Sequence, residues 1–148
     1  MMEKVLMPNE VMLGEISRLI EEGHEVLMIP KGISMLPFIR GEKDHVRLCK
    51  PGKLQVGNIV LAYIDGRYVL HRIYALKGDR ITLMGDGNLQ GCEQGTLADV
   101  KGVVTEIITP EGRSHKPGKA WLWRHTIGLR KYLLKIYRKT NKLLNHNN

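Results

Sequence analysis

Met12, Leu13, Ile16, Leu19 and Ile20 recur three and four positions apart, with Glu15, Arg18, Glu21 and Glu22 filling the other side. That spacing belongs to an amphipathic helix lying on a core. Asn9 stands just ahead of it, where a side-chain oxygen can accept from the free N–H groups of the first turn. Gly23 stands where a helix stop is needed. The pattern predicts a helix over residues 9–22.

From there the period changes. Short apolar stretches bounded by Gly, Pro and Asp predict strands over 25–29, 45–49, 58–64, 67–74, 80–84 and 99–108. Residues 33–41 (Ile-Ser-Met-Leu-Pro-Phe-Ile-Arg-Gly) fit neither period, and apolar residues in a loop need a packing or functional reason. Residues 110–119 read as a linker rich in Pro, Gly and Lys. The helical period returns after Trp121: Leu129, Leu133, Ile136 and Tyr137 share one face, and Lys131, Lys135, Arg138 and Lys142 another. The expected organisation is a mainly β body over 1–112 and a linker with a basic amphipathic helix over 113–148.

Charge sharpens that division. Residues 1–112 carry 13 Lys/Arg against 15 Asp/Glu, a balance of −2, whereas residues 113–148 carry 10 Lys/Arg and no acid. A basic tail on a near-neutral body points to an anionic partner for the tail alone. Trp121, Leu122 and Trp123 beside the Lys/Arg face fit an interfacial helix, so residues 121–144 are a candidate contact with an anionic membrane. Docking on the body is the other reading of this segment. Nucleic acid is disfavoured because no recognition motif is present.

Composition excludes several classes. At 148 residues, 43% apolar and 26% charged, the chain suits one globular core. Cys49 and Cys92 are too few for a disulfide framework and read as free thiols. No apolar run reaches the roughly 18 residues of a spanning helix, and the opening Met1-Met2-Glu3-Lys4 leads into no secretory core. These features predict a cytoplasmic protein, peripheral to the inner membrane face if the tail binds lipid. His24, His45, His115, His125 and His146 lack ligand spacing, so no metal and no cofactor are expected.

The candidate chemistry follows from counting a hairpin. Asp65-Gly66 is a strong two-residue turn signal, which pairs Ile64 with Arg67 and Val60 with His71. Alternation puts His71 on the face of Val69 and Ile73, and Arg72 on the opposite face with Tyr68 and Leu70. A second turn at Lys77-Gly78 brings Met84 or Gly85 opposite His71, with Asp86 emerging beside it. An imidazole titrates near pH 6.5 and is a ready general base. Ser34, in the odd apolar loop after Gly32, is the best-placed hydroxyl for it to deprotonate. Backbone N–H groups around Ser34 would hold an oxyanion. Ser34, His71 and Asp86 are thus expected as nucleophile, base and orienter.

At these residues the chain resembles a known family. Gly32-Ile33-Ser34-Met35-Leu36-Pro37 is similar to the Ser-Met-x-Pro box of type I signal peptidases. Gly57-Asn58-Ile59-Val60 resembles their Gly-Asp-Ile-Val strand, with Asn58 in place of the aspartate. His71-Arg72-Ile73 and Gly85-Asp86-Gly87-Asn88 resemble the general-base box and the late Gly-Asp-x-Asn box, so the boxes run in order over about residues 26–104. Bacterial type I enzymes and LexA-type repressors have lysine at the position of His71, whereas endoplasmic-reticulum and archaeal signal peptidases have histidine.

The resemblance implies the coiled β-sheet catalytic fold of that superfamily. It also implies a Ser–His endopeptidase acting through an acyl-enzyme on an extended peptide, with small side chains near the cut. Gly32, Met35 and Pro37 are then expected at the peptide site. Gly32 stands where many bacterial members have an oxyanion-assisting serine, which leaves backbone donors to act alone. Asp86, Glu93 and Asp99 are all candidates to orient His71. No counterpart of the family's N-terminal membrane anchor is expected here. Competing readings are a LexA-type self-cleaving regulator and a retired peptidase fold that only binds peptide.

Overall fold

The computed structural model describes residues 5, 6 and 8–146, with side chains over 8–142. The reading of Met1–Lys4 lies outside the described residues, as do the side chains of Leu143 and Leu144 at the end of the tail. The chain is mainly β: a curled antiparallel half-barrel with three short helices.

In chain order the elements are β1 (Val5–Leu6), α1 (Glu10–Glu21), β2 (Val26–Met28), β3 (His45–Cys49), β4 (Ile59–Ile64), β5 (Arg67–Lys77) and β6 (Arg80–Met84). They continue with β7 (Glu93–Thr96), β8 (Val100–Ile108), β9 (Ser114–His115), α2 (Trp121–Arg124) and α3 (Arg130–His146). The strands form one sheet in the order β1-β2-β3-β8-β4-β5-β6-β7, with β9 pairing β8. β1 and β2 run parallel.

Helix α1 forms as its sequence dictates. The Asn9 side chain accepts from the Met12 N–H at 2.9 Å. The helix ends at Gly23, whose φ of +96° lies in the left-handed region that glycine enters at little cost. Its buried face is Ile16 and Ile20.

Strand β4 explains why the core has two parts. Ile59 and Leu61 pack with Ile16, Ile20, Val26, Met28, Met35, Ile39, Val46, Leu48, Val104 and Ile107. Val60, Ala62 and Ile64 turn the other way, onto Val69, Ile73, Ile81, Leu83 and Val100. A strand covered on both faces reads as a continuous apolar run rather than an alternating one.

The β4–β5 hairpin has the counted register, with Val60 opposite His71 and Ile64 opposite Arg67. Asp65 and Gly66 both adopt positive φ, at +52° and +79°, as a two-residue turn of that hand requires. The next hairpin differs by one residue from the counted turn. Its loop is Gly78-Asp79, because Lys77 pairs with Arg80, and an irregularity between Ile73 and Ala75 shifts the register back. Arg72 then pairs with Met84, and one step further Gly85 falls opposite His71.

The segment expected as a linker folds back on the body. The Thr109 N–H donates to the Arg113 carbonyl at 2.8 Å, and β9 pairs Ile107 with His115. Beyond it the tail docks through Arg130 and Leu134, both buried. No helix is long and apolar enough to cross a membrane among the described residues.

Candidate active site

The loop over residues 30–41 owes its shape to a back-to-back glycine contact. A Cβ on Gly41 would lie 2.0 Å from the Gly32 carbonyl oxygen, and Gly32 itself has a φ of +83°. The Glu42 N–H closes the loop onto the Pro30 carbonyl at 2.7 Å. Met35 and Ile39 are the apolar plug, buried in the core beneath it. That packing accounts for the apolar character of the segment and leaves Ser34 half-buried at the loop's surface. The Leu36–Pro37 peptide bond is cis.

A second loop, Gly85-Asp86-Gly87-Asn88, lies against the first, backbone to backbone. The Gly87 N–H donates to the Ser34 carbonyl at 2.7 Å. A Cβ on Gly87 would come within 2.3 Å of the Ile33 carbonyl. A Cβ on Gly85 would meet the Ser34 carbonyl at 2.4 Å, Asn88 Nδ2 at 2.8 Å and His71 Nε2 at 3.1 Å. Both glycines are required by proximity rather than by backbone angle. The Ser34 carbonyl and His71 Nε2 are therefore separated by no more than the sum of the two distances that Gly85 spans.

His71 comes from β5 and is 7% exposed. Its Nδ1 forms a short contact with Glu93 Oε1. Strand register explains that pairing: Ile73 faces Leu83, and Leu83 faces Glu93, so His71 and Glu93 project on the same side of the sheet. With the carboxylate accepting from Nδ1–H, the tautomer with a lone pair on Nε2 is favoured. Nε2 is the nitrogen that lies toward Gly85 and the Ser34 loop.

This corrects the expectation for Asp86. Its side chain does not reach His71; it is fully buried on the opposite face of β5. Arg72 Nε donates to Oδ1 at 3.0 Å and Oδ2 at 2.9 Å, Arg72 Nη2 lies 2.8 Å from Oδ2, and the Tyr74 hydroxyl donates to Oδ1 at 2.9 Å. The register is the cause. With Met84 opposite Arg72, residue 86 shares the arginine's face, and Gly85 takes the place beside the histidine. Asp99 is engaged elsewhere, accepting from the Thr96 N–H at 2.8 Å to cap the 3₁₀ turn Leu97–Asp99.

The face carrying Asp86 continues into the tail. Arg72 Nη1 donates to the carbonyls of Gly57 and Gly118 at 2.8 and 2.9 Å. Trp123 Nε1 donates to the Asp86 carbonyl at 2.8 Å, and its ring meets Phe38 edge-on. Arg130, fully buried, donates to the Asn88 carbonyl at 2.9 Å and the Tyr74 hydroxyl at 2.5 Å, and lies over the rings of Tyr74 and Trp123. Burial, reinforced by the Asp86 charge, pushes the Tyr74 hydroxyl up to about 12. Sequence reasoning passed over Arg130, which stands among ten basic residues without a local mark of burial.

Ser34, His71 and Glu93 line one cleft of about 640 Å³, together with Gly32, Met35 and Asn88. Pro37, expected at the peptide site, is not among its lining residues. Leu61, Tyr68, Val69 and Leu70 from the hairpin, with Leu13 and Met28, also line the cleft. Residues 67–70 of β5 pair with β4 only, because pairing to β6 begins at Arg72. The cleft thus runs along an open strand edge. Among the described residues the Ser34 hydroxyl makes no hydrogen bond, and no cluster of His, Cys, Asp or Glu suits a metal ion.

No protein-family model matches this chain, and no curated protein is significantly similar to it.

Proposed function

We propose that this chain is a serine endopeptidase that cleaves an extended leader or signal-like peptide through an acyl-enzyme. The observation that carries the reading is the convergence of Ser34, His71 and Glu93 on one cleft, with the histidine already bound at Nδ1 by a carboxylate. The arrangement supplies the nucleophile, base and orienter of a serine hydrolase.

In this mechanism the Ser34 hydroxyl attacks the scissile carbonyl while His71 Nε2 takes its proton. Glu93 stabilises the imidazolium that forms. The same proton then passes to the leaving amine, and water repeats the sequence to release the acyl group. The Ser34 N–H donates to no described residue and is available to the oxyanion with its neighbours in the loop. The absence of a Ser34–His71 hydrogen bond fits a site without substrate, since such contacts tighten as the peptide binds.

The peptide would enter as an added strand along the open edge at Tyr68–Leu70, its backbone paired and its alternate side chains facing Met35 and Leu61. That edge lies immediately before the histidine, so a peptide in register passes the Ser34 loop as it reaches the site.

The test is cleavage of a quenched fluorescent peptide library by wild type, Ser34→Ala and His71→Ala. Each substitution should lower the rate by about 10²–10⁴-fold or more, because general-base catalysis alone is of that size. The wild-type rate should rise with pH, because only the neutral imidazole accepts the serine proton. Turnover of either variant at the wild-type rate would remove the mechanism. Peptide binding without cleavage by the wild-type chain would favour a binding role instead.

A further inference from the structure

Helix α3 presents three faces, and only one of them meets the body. Arg130 and Leu134 are buried, with Tyr137 and Asn141 half-buried on the same side. A second face carries Tyr132, Leu133 and Ile136, exposed by 62%, 39% and 63%. The third carries Lys131, Lys135, Arg138, Lys139 and Lys142, all exposed. Among the described residues no ion pair forms to these five side chains. The apolar surface continues into the preceding segment, where Trp121, Leu122 and Leu129 are 61%, 71% and 58% exposed.

We infer that residues 121–142 form a docking surface for an anionic lipid bilayer, with α3 lying in the plane of the headgroups. An apolar stripe beside a basic face, with tryptophan at its edge, suits the boundary between acyl chains and charged headgroups. Charge complementarity selects the occupant. Residues 113–148 hold ten Lys/Arg and no acid, while the body carries −2, so a negative surface draws the molecule tail first. A second copy would bring two such cationic surfaces together, and a nucleic-acid backbone would leave Leu122 and Ile136 in water. Lipid satisfies both features at once. The buried Arg130 holds this surface at a fixed position relative to the loop that supports Ser34.

Co-sedimentation of the full chain with vesicles tests the inference. Binding is expected to vesicles containing about a third phosphatidylglycerol, to fall with salt, and to be weak on phosphatidylcholine alone. Each basic side chain near such a surface is worth about fivefold in partitioning, so Lys131→Gln, Lys135→Gln and Lys142→Gln together should lower it on the order of 100-fold. Ile136→Glu should also release the protein. All four positions are exposed, and unchanged melting temperatures verify that the variants fold. Ser34→Ala should bind vesicles like wild type, which separates this inference from the proteolytic reading. Equal binding to neutral vesicles, no binding at low salt, or variants that bind unchanged would each overturn it. So would a dimer that buries this surface, or an oligonucleotide that binds while anionic vesicles do not.

Discussion

Asp86 and Glu93 give the sharpest discrimination, because they are two carboxylates near one histidine with opposite assignments. Asp86→Asn removes the charge that faces Arg72 in a site where both side chains are fully buried. Breaking one partner of such a pair leaves an uncompensated buried charge and costs about 3–5 kcal/mol. For a domain of this size each kcal/mol lowers the melting temperature by about 2–4 °C, so the variant should melt about 6–20 °C below wild type. Against a typical total stability of about 5–15 kcal/mol, it should still fold at low temperature.

Glu93→Gln acts in the reverse manner. Its side chain is 11% exposed at the rim of the cleft, and its described partner is His71. Its cost in stability should stay near 1 kcal/mol, the size of one hydrogen bond. The cleavage rate should fall by about 10²–10⁴-fold, because an amide disrupts the tautomer that leaves Nε2 free. Urea titration followed by tryptophan emission gives the first quantity, and single-turnover cleavage below the onset of unfolding gives the second. A stable but inactive Asp86→Asn beside an active Glu93→Gln would refute the assignment and return the orienting role to Asp86.

Three further outcomes follow from the same geometry. Gly85→Ala would place a methyl group 2.4 Å from the Ser34 carbonyl and 3.1 Å from His71 Nε2, so it should cost about 1–3 kcal/mol and slow cleavage at least tenfold; Gly52→Ala, in open space, is the control in the same denaturation and cleavage assays. Arg130→Met should cost about 1–3 kcal/mol by stranding the Asn88 carbonyl, and limited trypsin digestion should cut between Lys119 and Lys131 faster than in wild type. Tyr74 is held neutral by burial and Asp86, so the stability it contributes is fully present below pH 10, the ordinary phenol value, and is lost as pH rises through about 12. Discounted for the partial exposure of the ring, the effect is on the order of 1–2 kcal/mol, and urea midpoints across that window should fall less steeply in Tyr74→Phe.

The parts of the site that could be read along the chain are those set by local rules. A two-residue Asp65-Gly66 turn has one register, so the pairing of Val60 with His71 followed from counting. The Gly-rich spacing at 85–88 and the apolar loop around Ser34 also carried their own signals. Glu93 carried no local signal and entered only as one of three candidates through the family resemblance, because β7 is Glu-Gln-Gly-Thr, an edge strand with no apolar alternation to mark it. Asp86 was misassigned because the irregularity at Tyr74 shifts the register by one residue and so moves it to the other face, whereas the displacement of the turn by one residue leaves the faces unchanged. The burial of Arg72 depended on carbonyls from residues 57 and 118, at 15 and 46 positions' distance. No local window contains that information.

The division of labour across β5 also bears on how the tail relates to the body. Odd residues of the strand place His71 toward Glu93, while the even residues Arg72 and Tyr74 hold Asp86. The second set is completed only by the tail: the Gly118 carbonyl accepts from Arg72, Trp123 donates to the backbone of Asp86, and Arg130 bonds both Tyr74 and Asn88. A buried ion pair is tolerable only when its remaining donors and acceptors are satisfied. The body over 1–112 therefore lacks the groups that make its own Arg72–Asp86 pair affordable. Because Asp86 sits between Gly85 and Gly87, which touch the Ser34 loop directly, the tail is tied by a continuous chain of contacts to the backbone that carries Ser34.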